Sequence, residues 1–214
     1  MGELAPSIIA ADFARLGEEL ERVESYAQRW HVDVMDGHYV GNLTIGPMIV
    51  EAIASVSSLP QDVHLMITNP AETWEWYAKA GAARIAFHPE AAPDAATLLR
   101  EMRSAGISPG LAVNPEVGAD EVRTFLDDVD HLIVMSVHPG FSGQQFIPEA
   151  VPKLRRFREM VRPDVALIID GGVNEATAPG CVEAGANVLV SASAIFGADD
   201  PTAVARRLKA IADG

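Results

Sequence analysis

The sequence is poor in cysteine and lysine. Its 214 residues include one cysteine, Cys181, so no intrachain disulfide can form, and the helical pattern around it predicts a buried, inert thiol. The three lysines, Lys79, Lys153 and Lys209, lie in amphipathic helical stretches rather than at strand ends. This placement excludes a Schiff-base lysine at a strand end and argues against an aldolase of that type.

The charge balance and the lack of long apolar runs exclude two classes of partner. Acidic residues outnumber basic ones by 30 to 16, for a formal net charge of −14, and no basic cluster is dense enough to bind nucleic acid. No uninterrupted apolar stretch reaches the ~18 residues that a membrane span requires. Because the chain also begins without the basic and apolar regions of a signal peptide, we expect a cytoplasmic protein with no membrane partner.

The length and the pattern of apolar runs indicate one domain over residues 1–214. Eight apolar runs alternate with helical patterns, at residues 7–10, 30–35, 62–67, 84–88, 110–113, 132–137, 166–169 and 188–190. Such strands are typical of a parallel sheet covered by helices, and the count of eight favours a closed (βα)8 TIM barrel. The alternative is an open doubly wound sheet, which the absence of Gly-x-Gly-x-x-Gly after the first run disfavours.

Two histidines and two aspartates lie near the ends of three predicted strands: His31 and Asp33, His64, and Asp170. Active sites of TIM barrels lie at the carboxyl ends of the strands, so we expect these side chains to converge there. Their nitrogen and oxygen atoms suit one divalent cation, such as zinc, iron(II), manganese or cobalt, and the absence of thiolate argues against a closed structural zinc site. The two aspartates can also exchange protons with a substrate.

Three methionines, Met35, Met66 and Met135, lie at one level of the second, third and sixth predicted strands. Two interpretations are open. The methionines fill the core, or they form a polarizable wall that keeps water away from a substrate.

The loops after the last three predicted strands contain the features of a phosphate site. Gly171 and Gly172 follow the seventh strand and Ser193 follows the eighth, where barrels commonly bind phosphate through backbone N–H groups. The loop at residues 138–146 combines Gly140 and Gly143 with Phe141. We interpret this loop as a mobile lid that closes over a ligand, with a long surface turn as the alternative.

Six motifs follow one another along the chain: Pro-Ser-Ile-Ile-Ala-Ala-Asp-Phe, His-Val-Asp-Val-Met-Asp-Gly-His-Tyr-Val, Asp-Val-His-Leu-Met, Met-Ser-Val-His-Pro-Gly-Phe, Asp-Gly-Gly-Val and Ser-Ala-Ile-Phe-Gly. In the order of these motifs, and over essentially its whole length, the chain resembles the ribulose-phosphate 3-epimerase family. The resemblance implies a metal-dependent barrel that inverts the carbon next to the carbonyl of a ketose phosphate. It also implies a homo-oligomer.

The resemblance assigns roles to particular residues. It implies that His31, Asp33, His64 and Asp170 are metal ligands, and that Asp33 and Asp170 are also the acid/base pair. The implied substrate contacts, including those to the phosphate, are Ser7, His64, Gly140, Phe141, Ser142, Gly143, Gly171, Gly172, Ala192 and Ser193.

The chemistry of these residue types suits such a reaction. Removing a proton from C3 makes an enediolate, and a bound cation offsets the charge that develops on the substrate oxygens. The expected reaction interconverts D-ribulose 5-phosphate and D-xylulose 5-phosphate in the pentose phosphate pathway. The alternatives are another ketose phosphate of six or four carbons, such as allulose 6-phosphate, or a sugar-phosphate binder without turnover. Orotidine-phosphate decarboxylase is set aside because its catalytic lysine is missing.

The sequence departs from the family's usual pattern at five positions, most of them relevant to the substrate. Gly41 replaces a proline, Ser142 and Ala192 replace glycines, Ile168 replaces an acidic residue, and His138 replaces Asn, Asp or Glu. The methyl group of Ala192 lies where the backbone would approach phosphate, so we expect a ligand there to bind less tightly or to lie differently.

Overall fold

A computed structural model describes residues 2–214 as one barrel of parallel strands with helices between them. The strands are β1 Glu3–Pro6, β2 Trp30–Met35, β3 Gln61–Met66, β4 Ala82–Phe87, β5 Ser108–Val113, β6 His131–Met135, β7 Ala166–Asp170 and β8 Val188–Ser191. Each strand pairs in parallel with the next along the chain from β2 to β8, and β8 pairs with β1. A bridge between Ser7 and His31 joins the end of β1 to β2 and nearly closes the barrel. The TIM-barrel prediction is confirmed, and the open-sheet alternative is wrong.

The helices cover the outside of the barrel. They are α1 Leu16–Val23, α2 Pro47–Val56, α3 Pro70–Ala80, α4 Ala95–Ser104, α5 Ala150–Met160, α6 Ala178–Glu183, α7 Ser193–Phe196 and α8 Pro201–Asp213. The expected helix between the fifth and sixth strands is wrong, because that connection contains only a short 3₁₀ helix, Arg123–Phe125, after the breakers Pro115 and Gly118. Among residues 2–214, no helix has both the length and the apolar character needed to cross a membrane.

The first strand is displaced from its predicted position. The apolar run at residues 7–10 was expected to be strand one, whereas β1 lies at Glu3–Pro6 and Ile8–Ala10 form a 3₁₀ helix. The Ser7 side chain caps this helix by accepting a hydrogen bond from the Ile9 N–H at 3.4 Å, which turns the chain away from the sheet. As a result, Ser7 lies at the carboxyl end of β1. The other seven strands differ from the prediction by at most two residues at either end.

The core has two layers. Outward-facing strand residues such as Val32 and Leu65 pack against the helices, whereas a separate cluster fills the inside of the barrel. Small side chains on one side of this interior, such as Ala86 and Ala112, leave room for Ile133 and Ile168. Ile168, one of the departures from the family pattern, is therefore fully buried core.

A buried ionic network closes the amino end of the barrel. Arg29 donates hydrogen bonds to Glu3 at 2.6 Å and to Asp62 at 2.8 Å, and Arg84 lies 3.5 Å from Asp62. His131, at the start of β6, is also buried at this end. The charged groups at this end of the barrel therefore offset one another's charge.

Candidate active site

The four predicted metal-binding residues meet inside the carboxyl end of the barrel. His31 and Asp33 share the inward face of β2, and the parallel register places Asp33 beside His64 on β3. Asp170 is the last residue of β7. One nitrogen or oxygen atom from each of these residues lies within 4.8 Å of the others. The expected convergence of the four side chains is therefore present in the fold.

The contacts within this cluster fit a shared cation better than direct hydrogen bonds. His31 Nε2 lies 3.4 Å from Asp33 Oδ1 and 3.5 Å from Asp170 Oδ2, and His64 Nδ1 lies 3.5 Å from each of the same two oxygens. Both ring nitrogens of His31 and Nδ1 of His64 are buried without a hydrogen-bond partner. Buried polar atoms are normally paired, and two ligand atoms that each lie about 2.1 Å from one ion are separated by about this distance.

The ionisable groups of the cluster shift one another's pKa values. Burial lowers the pKa of His31 and of His64, but the carboxylates of Asp33 and Asp170 outweigh it and raise both values above the usual one. Burial raises the pKa of each aspartate, and the two histidines lower both values below their usual range. The carboxylates favour positive charge at this position, so the cluster forms a site in which a cation can take the place of imidazole protons.

Ser7 fixes the second oxygen of Asp33. Its hydroxyl donates a buried hydrogen bond to Asp33 Oδ2 at 2.5 Å, while Oδ1 faces the histidines. The displaced end of β1 thus holds the Asp33 carboxylate in one orientation. Ser7 also lines the cavity that opens above the cluster, so a ligand there can reach its hydroxyl.

The cavity above the cluster has a volume of about 460 Å³ and contains most of the predicted substrate contacts. Its lining includes Ser7, Asp33, Asp170, Gly140, Phe141, Ser142, Gly143, Gly171, Gly172, Ala192 and Ser193. His64 does not line it and is fully buried beneath. No lysine or arginine among residues 2–214 lines this cavity, so an anion there would depend on backbone and hydroxyl donors.

The three methionines line this cavity from two sides, Met35 and Met66 on the adjacent strands β2 and β3 and Met135 on β6 across the barrel. Met35 pairs with Met66 in the sheet, Met135 pairs with Asp170, and all three side chains line the cavity. Each methionine is almost completely buried. The methionines therefore lie where the predicted apolar wall would face a ligand.

Gly171 and Gly172 are required by the shape of the loop after β7. Their φ angles are +114° and +62°, and a Cβ atom would lie 2.5 Å from the Val137 side chain at Gly171 and 2.8 Å from the Phe146 nitrogen at Gly172. A side chain at either position would push the loop outward. Glycine thus keeps the backbone of this loop close to the cavity.

The predicted lid lies across the mouth of the cavity. Phe141 at its tip is 61% exposed, and the Asn42 side chain donates a hydrogen bond to the Gly140 carbonyl at 2.7 Å. Gln144 holds the loop from inside by donating to the carbonyls of His138 and Phe141. The loop after β6 is thereby joined to the loop after β2, and its movement stays a prediction.

Sequence reasoning missed one buried histidine next to the cluster. His88 directly follows β4, and its Nε2 atom lies 2.9 Å from His64 Nε2. The sequence offered a weak signal, since His88 ends a predicted strand on the same side of the barrel as His64. A single histidine at a strand end does not reveal which neighbour it contacts.

The fold and the cluster define a (βα)8 barrel with a candidate metal site at its catalytic end. The sequence profile of the ribulose-phosphate 3 epimerase family matches residues 3–196. The protein named ribulose-phosphate 3-epimerase in Bacillus subtilis (strain 168) is 44% identical over 205 residues, which cover 94% of each chain. The protein of that name in Mycobacterium bovis is 46% identical over 209 residues, which cover 96% of this chain and 91% of the relative.

The chain belongs to the ribulose-phosphate 3-epimerase family, which confirms the resemblance. Among solved structures, it is similar in fold to a 3-hexulose-6-phosphate synthase, with a TM-score of 0.71 and 19% sequence identity. That alignment covers 98% of this chain and 99% of the other. At this low identity, the likeness shows the fold alone.

We expect the protein to bind one divalent cation per chain and His64→Ala to weaken that binding by at least about 100-fold, because it removes a ligand atom. The measurement is elemental analysis after dialysis, with circular dichroism to verify folding. His138→Ala is the control, since His138 is exposed and lies outside the cluster. Equal metal content in wild type and a folded His64→Ala variant would contradict this assignment.

Proposed function

We propose that the protein interconverts D-ribulose 5-phosphate and D-xylulose 5-phosphate by inverting C3, as an enzyme of pentose phosphate metabolism in the cytoplasm. The observation that carries the proposal is the meeting of Asp33 and Asp170 with two histidines at the base of one cavity. Membership of the family supports it. That the chain assembles as a homo-oligomer stays a prediction of the family resemblance.

Inversion requires one proton acceptor and one proton donor at the same carbon. Asp33 and Asp170 both line the cavity, and each belongs to a rigid strand rather than a mobile loop. One carboxylate takes the proton from C3 to give an enediolate, and the other, in its protonated form, returns a proton to the opposite face. Burial raises the pKa of Asp170, the two histidines lower it below its usual value, and the nearby Asp33 charge acts against the histidines.

The remaining residues divide into a metal site and a substrate site. His31, Asp33, His64 and Asp170 would hold one divalent cation, with zinc, iron(II), manganese and cobalt as the candidates. When bound, such a cation stabilises the negative charge that develops on the substrate oxygens. Ser7 keeps the Asp33 carboxylate in place for proton transfer.

The other end of the cavity suits the phosphate group. Gly171 and Gly172 bring backbone N–H groups to the lining, and Ser193 adds a hydroxyl. Gly140 and Gly143 add backbone N–H groups from the lid. Phe141 at the lid tip and the three methionines would exclude water from the enediolate. This division separates the group that anchors the substrate from the carbon that reacts.

Ser142 and Ala192 are the reason to consider a ketose phosphate of another length as a second candidate substrate. Both line the cavity at positions where the family pattern has glycine, so both add side-chain volume near the phosphate end. A changed phosphate position would suit a ketose phosphate of six or four carbons. The pentose remains the preferred substrate because Ser7, His31, Asp33, His64 and Asp170, at the proposed reacting end, all match the family motifs.

We expect Asp33→Asn and Asp170→Asn each to lower kcat for ribulose 5-phosphate by about 10²–10⁴-fold or more, since each loses a proton-transfer group. Turnover is measured at saturating metal, with bound metal quantified in the same samples. Asp94→Asn is the control, because Asp94 caps α4 outside the cavity. A metal-loaded Asp170→Asn variant with near wild-type turnover would exclude the two-aspartate mechanism.

Substrate length is tested by comparing kcat/KM for four-, five- and six-carbon ketose phosphates. We expect the five-carbon substrate to be preferred, and Ala192→Gly to lower its KM with little change in kcat, because phosphate contacts far from C3 bind the ground state and transition state alike. A preference for another length in the wild type would favour the second substrate. Binding of all three without turnover would identify a sugar-phosphate binder.

A further inference from the structure

His88 is a fully buried residue behind the candidate metal site that the proposed mechanism does not use. It lies on the side of His64 away from the cluster, and the two rings meet edge to edge with a centroid distance of 5.1 Å and an interplanar angle of 30°. Their Nε2 atoms are 2.9 Å apart, which is a hydrogen-bond distance. The Nδ1 atom of His64 therefore faces the cluster, and the Nε2 atom of His64 faces His88.

A hydrogen bond between two imidazole nitrogens has a direction, and the direction decides whether His64 can bind a metal. A neutral imidazole carries one N–H group. If His64 Nε2 donates to His88, then His64 Nδ1 has a free lone pair that points at Asp33 and Asp170. If His88 donates instead, the proton of His64 lies on Nδ1 and blocks that ligand atom.

Glu90 favours the first direction. Its Oε1 atom lies 3.8 Å from Nδ1 of His88, the ring nitrogen that does not contact His64. A carboxylate at this distance attracts the His88 proton to Nδ1, although it is too far for a normal hydrogen bond. With its proton on Nδ1, His88 can only accept at Nε2, and His64 must be the donor.

Two further side chains hold Glu90 in this position. The Tyr39 hydroxyl donates to Glu90 Oε1 at 2.8 Å, and Asn114 Nδ2 donates to the same oxygen at 2.6 Å. The Tyr39 ring also packs on the His88 ring, with a centroid distance of 4.9 Å. The loops after β2, β4 and β5 thus converge on one carboxylate oxygen.

We propose that His88, oriented by Glu90, is a positioning residue that fixes the metal-binding tautomer and the ring orientation of His64. The inference rests on the proposed metal-dependent function and adds a residue to it. His88 is neither a residue of the cavity lining nor a member of the cluster, and its hydrogen-bond contact there is with His64, so it acts through His64. Partners of this kind commonly account for 10–100-fold in metal affinity or activity.

Three substitutions separate this role from simple packing. His88→Phe keeps a buried ring without an acceptor. His88→Gln places an oxygen the same number of bonds from Cβ as Nε2, so it can still accept from His64, whereas the shorter His88→Asn cannot reach that position. His131→Phe is the matched control, because His131 is a buried histidine at the opposite end of the barrel.

The experiment measures the zinc dissociation constant of each variant by competition with a chromophoric chelator, and the thermal midpoint of each metal-free protein. We expect His88→Phe and His88→Asn to bind zinc about 10–100-fold more weakly than wild type, and His88→Gln to recover most of the loss. His131→Phe should bind as tightly as wild type. If His88→Phe does not fold, the zinc dissociation constants of His88→Gln and His88→Asn are compared instead. Tighter binding by the Gln variant then supports the need for an acceptor at this position.

The tautomer is observed directly by ¹⁵N NMR of the histidine rings in the zinc-loaded protein. We expect wild-type His64 to carry its proton on Nε2 and His88 to carry its proton on Nδ1. Equal zinc affinity of the Gln and Asn variants, or a His88 proton on Nε2, would overturn the inference. Failure of the proposed function is separate, since it would appear as a wild-type protein that binds zinc normally but does not epimerise ribulose 5-phosphate.

Discussion

The catalytic end of this barrel depends on the close approach of two carboxylates and two imidazoles that have little access to water. Each of these groups is costly to bury alone, and together they offset one another's charge. The arrangement is possible because the inward faces of β2, β3 and β7 meet at one level. A register slip of one residue on β2 would turn His31 and Asp33 outward into the apolar layer beneath the helices.

Several neighbouring features follow from this constraint. The bridge from Ser7 to His31 nearly closes the barrel at the level of the cluster, and the Ser7 hydroxyl donates to the oxygen of Asp33 that the histidines do not face. His88 plays the corresponding part for His64 on the other side. The proposed reacting groups therefore lie on strands and are held by neighbouring side chains, whereas the proposed phosphate contacts lie on loops that can adapt to the ligand.

The sequence predicted features that repeat with strand periodicity more accurately than features that depend on contacts between distant segments. The second strand matched residue for residue, because alternation of His31, Asp33 and Met35 with valines is a strong signal. Strand one was misplaced because Ile8 and Ile9 look like strand residues, while the Ser7 cap that bends them is a local side-chain contact. The pairing of His64 with His88, and of Glu90 with Tyr39, requires the register of three strands and could not be read from spacing.

Two carboxylates on opposite faces of C3 would exchange its proton with solvent during inversion, and incorporation of deuterium from D₂O detects this exchange. The wild-type protein is incubated with unlabelled ribulose 5-phosphate in D₂O, and the first product formed is analysed by NMR. We expect xylulose 5-phosphate that carries deuterium at C3, because the donor carboxyl group exchanges with solvent before it delivers its proton. Product that keeps the original hydrogen at C3 would contradict it.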